Sequence, residues 1–294
     1  MHAYYSSRSE SMDCSLRQRN SGNVKKDNNN ENNDEENYTK YNECDHLNLM
    51  EQLMIMSLRK QTTTLLSINI SNEKISIILR GALLIELGLR GYIELDGRGC
   101  MRKKLCDRNV IVIKNDKISD FLMNQCINYI SKYNGKYSIK SWLLFLSGQS
   151  LNFMMIHSHI KFMREKLCKN LVDKGVLECG LQSNFLFKMH NFKFRSREEQ
   201  KKILLLFQKG LLSEYKPDYT KYNSRILALI FLTYAGEIEN LPTECLDEDN
   251  YVRAINNLYS IKDSNFNELA RRVDNKFGDL YWGVFDAIKQ LFNL

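Results

Sequence analysis

Between Lys74 and Arg90 the apolar residues fall on nearly every face of a helix, among them Ile75, Ile77, Ile78, Leu79, Leu83, Leu84, Ile85 and Leu87. A helix that is apolar all round must be enclosed, by protein or by lipid. The most apolar part, Ile75 to Leu89, is interrupted by Arg80 and Glu86 and falls short of the ~20 residues that cross a bilayer. Protein is therefore expected to surround it, with Gly91 as its stop. With 43% apolar and 11% aromatic residues the chain can bury a sizeable core, and 2 prolines and 14 glycines in 294 residues favour long elements over a turn-rich β-sandwich. The reading is a mainly α fold: a single globular domain with a helical core, peripheral amphipathic helices and short β-hairpins.

Residues 1–46 stand apart. They carry nine asparagines, few aliphatic residues, six Lys/Arg and nine Asp/Glu, too little apolar surface to offset the entropy of ordering. They are read as a disordered tail, and 47–294 as the domain. A first helix begins near Leu47, on the spacing of Leu49, Met50, Leu53, Met54 and Leu58. Gln61 to Ser71 reads as a loop or short strand with an apolar tip at Leu65, Leu66, Ile68 and Ile70. Tyr92 to Leu95 and Val110 to Ile113 alternate as short strands, and Ser119 to Lys132 is helical. Asn152 is expected to cap a long helix from Phe153 to Lys174 that Gly175 stops. A hairpin with its turn at Gly180 follows, formed by Val176-Leu177 and Asn184 to Met189. Amphipathic helices, including Arg225 to Tyr234 and Leu280 to Phe292, complete the chain.

The charge is uneven. Residues 47–294 carry 36 basic and 26 acidic residues, a balance that suits a polyanionic partner, nucleic acid or an acidic membrane surface. Eight cysteines, at 14, 44, 100, 106, 126, 168, 179 and 245, show no C-x-x-C spacing, and no apolar secretory segment opens the chain. Reduced thiols in a soluble cytosolic protein are expected, without disulfides or structural zinc. His157 and His159 are two apart, where a helical zinc pair needs four, so no metal site is read there. No phosphate-binding glycine loop, G-x-S-x-G or activated cysteine occurs, and neither an enzyme nor a cofactor is predicted. Glu86, a lone carboxylate among apolar neighbours, is expected to pair with an arginine. Arg80 sits where an aliphatic residue belongs, and Lys161 and Arg164, three apart, project from one helix face beside a core stripe of Met163, Leu167 and Leu171. Such cations can simply solvate a surface, or satisfy Glu86 or a helix end.

Several blocks carry a resemblance. Leu79 to Gly91, reading L-R-G-A-L-L-I-E-L-G-L-R-G, is similar to the L-R-G-x-x-x-I-E-L-A-L-R-G signature of the Golgi phosphoprotein 3 family. Trp142 to Asn152 (W-L-L-F-L-S-G-Q-S-L-N) resembles that family's W-I-x-L-L-S-G-E-T-W-N, and Met163 to Leu177 resembles V-R-E-R-L-A-K-N-L-V-E-K-G-V-L. Asn184 to Met189 and Leu227 to Ile230 follow in register, so the likeness runs from Leu47 to the C-terminus. It implies a non-enzymatic adaptor, peripheral on the cytosolic face of the Golgi membrane. Such an adaptor binds phosphatidylinositol 4-phosphate and links the cytosolic tails of glycosyltransferases to the COPI coat. The implied head-group residues are Arg80, Lys161 and Arg164, and the hairpin from Leu177 to Met189 is the implied element of homo-oligomer formation.

Two departures stand out. Ser71 occupies the place of a family tryptophan suited to the membrane interface, which leaves Leu65 and Leu66 as the expected inserting residues. The tail has only Arg17, Arg19, Lys25 and Lys26 where family members have an arginine cluster that helps engage the coat. The alternative reading is a winged-helix nucleic-acid binder, since a basic helix precedes a hairpin. Glu165 and Asp173 within that helix, and the lack of basic residues at Glu178-Cys179-Gly180, weigh against it, so no nucleic acid is expected as a partner.

Overall fold

The computed structural model describes residues 46–58, 63–64, 72–97, 103–184, 187–213, 219–238, 243, 246–272, 275 and 277–294, with the side chains of 63–64, 72, 181–191 and 220 left aside. The tail reading, Leu65, Leu66 and Ser71 fall outside the described residues.

Helix α1 (Leu49–Ser57) opens the domain and is buried along its whole length. A reciprocal cap starts it: Asn48 Oδ1 accepts from Glu51 N, and Glu51 Oε2 accepts from Asn48 N, both at 2.9 Å. Strand β1 (Thr63–Thr64) precedes α2 (Asn72–Leu89), the expected axis. From Ile75 to Leu87 its apolar side chains are buried on all sides, because α1, α4, α7 and α10 enclose it. Of these, α4 is Ile139–Ser147, α7 is Ser224–Ala235 and α10 is Gly278–Phe292. Gly81 permits the closest approach: a Cβ there would lie 2.7 Å from Ile288 Cδ1 of α10. Across the same core Phe231 of α7 stacks on Phe285 of α10, ring centres 4.1 Å apart.

The expected pair of short strands is present as β2 (Ile93–Leu95) and β3 (Val110–Val112), antiparallel with Glu94 opposite Ile111. Ile93 and Leu95 point inward and Glu94 outward, as period-two alternation requires. Helix α3 (Phe121–Lys132) is capped by Asp120, which accepts from Met123 N. Helix α4 ends at Gly148 in the left-handed conformation.

The long helix expected from Phe153 to Lys174 is two elements. A 3-10 helix, Phe153–Ser158, comes first, and Asn152 caps it by accepting from Met154 N at 3.1 Å. The chain then breaks, with Phe162 at φ 56°, and α5 runs from Met163 to Asp173. Lys161 thus stands in the turn before α5 rather than on its face. Met163, Leu167 and Leu171 form the buried stripe.

The following hairpin has a different turn from the one expected. Strands β4 (Leu177–Asn184) and β5 (Phe187–Phe194) pair from Leu177 with Phe194 up to Asn184 with Phe187, so Gly180 is mid-strand opposite Asn191. Eight paired positions satisfy the backbone in place of an early turn. β1 adds to the other edge of β5, for an order β1-β5-β4. Helices α6 (Glu198–Leu212), α8 (Glu248–Asp263) and α9 (Phe266–Ala270) pack around α7 and α10. The observed architecture is the mainly α single domain that the pattern predicts.

Candidate functional site

Arg80 is where the fold and the basic residues meet. It lies one turn into the buried half of α2 and is 4% exposed. Nε donates to the Leu146 carbonyl at 3.1 Å, and Nη1 to the Ser76 carbonyl and Oγ at 3.0 and 2.9 Å. Nη2 donates to the Ile160 carbonyl at 2.5 Å. One guanidinium thereby ties α2 to the end of α4 and to the turn before α5. Four of its five N–H groups are engaged, which leaves one on Nη2. The expectation that Arg80 could satisfy a helix end holds at Leu146. Its pairing with Glu86 does not occur.

Glu86 instead lies fully buried between two other arginines. Its Oε1 accepts from Arg90 Nε and Arg225 Nη2, both at 2.8 Å, and its Oε2 from Arg225 Nε at 3.2 Å and Leu49 N at 3.3 Å. Burial pushes this carboxyl up, but the hydrogen bonds and charges of Arg225 and then Arg90 outweigh it and hold the group below its ordinary value. The pair is structural and leaves Arg80 to face the other way.

Arg80 faces a group of cations. Burial first, and then the charge of Arg164, lowers its pKa to about 10, so it stays charged at neutral pH. Lys166 is lowered by burial and then by Arg80, and His159 by burial and then by Arg80 and Lys161. Arg164, half-buried in the first turn of α5, is lowered by burial, with Cys168 acting in the opposite sense. Arg80 thus lies within electrostatic reach of Arg164, Lys166 and His159, and Lys161 within reach of His159, a cluster of basic side chains around one turn.

Beside the cluster lies an open groove of about 530 Å³. Gln125 and Tyr129 of α3 form one wall; Phe153, Ile156 and His157 of the 3-10 helix form the other; His159, Lys161 and Lys166 supply its charge. Lys166 Nζ donates to Gln125 Oε1 at 3.4 Å and stands 5.1 Å above the Phe121 ring. His157 is held among Tyr129 and Tyr133 and lies 3.2 Å from the Tyr133 hydroxyl. Helix α5 begins at this groove with no side-chain cap at Phe162, so its first N–H groups add to the positive end of a helix dipole. Such a site favours an anion with several oxygens. Sequence reasoning overlooked Lys166 and considered His159 only as a metal ligand. Their signal was position alone, within seven residues of Lys161 and Arg164. Among the described residues no three His, Cys, Asp or Glu side chains are grouped to hold a metal ion, and no helix is long and apolar enough to cross a membrane.

The family model for Golgi phosphoprotein 3 (GPP34) matches residues 49–272. Among individual proteins, the chain is similar to the vacuolar protein sorting-associated protein 74 of Eremothecium gossypii, 36% identical over 145 residues. That stretch is 49% of this chain and 42% of the relative, so the chain matches less than half of that protein's length.

Proposed function

The chain belongs to the Golgi phosphoprotein 3 family, and from that premise we propose that it is a peripheral adaptor that recognises phosphatidylinositol 4-phosphate. The observation that supports the reading is the open groove at the uncapped start of α5, lined by His159, Lys161 and Lys166, with Arg164 in the first turn of that helix and Arg80 bonded to the Ile160 carbonyl behind it. A monoester phosphate presents three oxygens and close to two negative charges. Lys161 and Arg164 reach it from the rim. Arg80, committed to the Leu146, Ser76 and Ile160 carbonyls and not part of the groove lining, contributes its charge from behind the turn. The engaged ligand relieves repulsion that the protein otherwise bears.

Family membership supports the remaining roles: residence on the cytosolic face of the Golgi membrane, and a link between glycosyltransferase tails and the COPI coat. The β4–β5 hairpin, Leu177 to Met189 within it, is the proposed element of self-association, since β4 is an edge strand of its sheet among the described residues. The role is adaptor rather than enzyme, without cofactor and without nucleic acid.

The test is flotation of the full chain on vesicles containing phosphatidylinositol 4-phosphate. At about 1 kcal/mol per cation near an anionic surface, Lys161→Ala or Arg164→Ala lowers binding about fivefold each, and the double variant more. Binding unchanged in all three variants contradicts the site.

A further inference from the structure

Among the described residues eleven large hydrophobic side chains are exposed, and five of them fall within twelve positions: Leu151, Phe153, Met154, Ile156 and Phe162. Their exposure runs from 55% at Ile156 to 94% at Leu151. A concentration of this kind on a protein surface marks an interaction site. We propose that the strap 151–162 inserts into the headgroup and upper acyl region of an anionic bilayer while the adjoining groove holds the lipid phosphate. The proposal rests on the lipid reading above and adds the second half of the contact.

The strap is built to present these side chains rather than to bury them. In a 3-10 helix, positions three apart eclipse, and here Met155 and Ser158 are the pair that faces the core. The remaining positions, with Phe153, Met154 and Ile156 among them, must face outward. Both ends are fixed: Asn152 caps the first turn, and Ile160, fully buried, donates its N–H to the Leu146 carbonyl at 3.1 Å. The Ile160 carbonyl accepts from Arg80. At the far end Phe162 adopts φ 56°, a left-handed conformation that a bulky L-residue disfavours. It leaves the ring 73% exposed beside Lys161 and Arg164.

The neighbours say which partner fits. Phe153 and Ile156 belong both to the strap and to the groove wall that carries Lys161, His159 and Lys166. Exposed Phe121, beneath Lys166, adds an apolar ring on the opposite side. Apolar side chains interleaved with cations match a bilayer interface, where acyl chains take the one and phosphates the other. Side chains this exposed protrude, whereas an amphipathic peptide is received in a concave groove.

The test uses the full chain with Met154→Trp as a depth reporter. The native tryptophans, Trp142 and Trp282, are buried and give a constant background. On vesicles of phosphatidylcholine with phosphatidylinositol 4-phosphate, the new indole is expected to shift to the blue and to be quenched by shallow brominated lipids. The paired variant Leu151→Ser/Met154→Ser, which leaves the groove lining untouched, is expected to float about tenfold less well while binding the soluble inositol phosphate headgroup as wild type does. An unshifted, unquenched reporter, together with wild-type flotation of the paired variant, overturns insertion and leaves the lipid site standing. If the paired variant floats normally but loses binding of a glycosyltransferase-tail peptide, the strap is a peptide surface and the proposal is wrong. Wild-type protein that binds neither headgroup nor vesicle overturns the lipid reading itself.

Discussion

The Arg80 guanidinium on α2 donates from Nη2 to the Ile160 carbonyl at 2.5 Å, eighty positions along the chain. The bond places a buried positive charge directly behind the turn that carries Lys161, and it makes the core helix and the cationic rim a single unit. Loss of Arg80 therefore has two effects. Arg80→Lys keeps the charge but not the fork, and it gives up the bond to at least one of the Leu146 and Ile160 carbonyls, of which Leu146 still accepts from the Ile160 N–H. The expected cost is about 2–4 kcal/mol of stability, read in denaturant melts, together with weaker headgroup binding in the fraction that remains folded.

Glu86→Gln tests the other buried charge. Removing one partner of a buried ionic cluster costs about 3–5 kcal/mol, since Arg90 and Arg225 lose their counter-ion. The wild-type carboxyl is held below its ordinary value. Its contribution is thus complete above the ordinary carboxylate range and is lost as pH falls through the folded value. Melting temperatures followed from pH 7 downward should fall along this limb in wild type and less steeply in Glu86→Gln. Parallel curves would show that Glu86 is not the group involved.

The core was legible and the partners within it were not. A stretch apolar on every face can only be an enclosed helix, so α2 and its place followed from pattern alone, as did the alternation of β2. That Glu86 would find an arginine follows from the cost of a buried charge. That the arginines are Arg90 and Arg225, the latter 139 positions away, depends on packing. The Phe153–Lys174 helix failed for a related reason. Phe153, Ile156, Ile160 and Met163 continue an apolar rhythm, but that rhythm does not reveal which side chains face solvent. No glycine or asparagine at Phe162 announces the left-handed residue that breaks the helix. Of the proposed site, Arg80, Lys161 and Arg164 were singled out by odd placement and family likeness. The groove walls, His159 and Lys166, and the exposed strap emerge only once α3 and the 3-10 helix are brought together.

His159 gives the site a pH dependence. Burial, then Arg80 and Lys161, keeps its pKa below the ordinary histidine value, so the imidazole is neutral near pH 7. For folding, this group adds stability that is complete above the ordinary value and declines as pH falls below it. For ligand binding the sign reverses: a phosphate beside the ring favours the imidazolium, so binding takes up a proton. Because the phosphate itself protonates near pH 6, the measurement is the ratio of wild-type to His159→Gln headgroup affinity. The ratio is expected to rise as pH falls from 7.5 to 6. A flat ratio removes His159 from the site.

Gly148 links the end of α4 to that histidine. It sits at φ +76°, and a Cβ there would lie 2.8 Å from His159 Nδ1. Gly148→Ala is expected to cost about 1–3 kcal/mol and to weaken headgroup binding by displacing the ring. Full stability with full binding would show that the helix end can shift freely.

The central claim is selective recognition of one phosphorylated inositol. Flotation of the wild-type chain across vesicles of matched charge, bearing phosphatidylinositol or its 3-, 4- or 5-monophosphate, addresses it most directly. The account predicts at least about tenfold preference for the 4-phosphate, lost in Lys161→Ala/Arg164→Ala. Equal flotation on every vesicle of the same charge, with the double variant weakened alike on all, would mean a basic surface without a site.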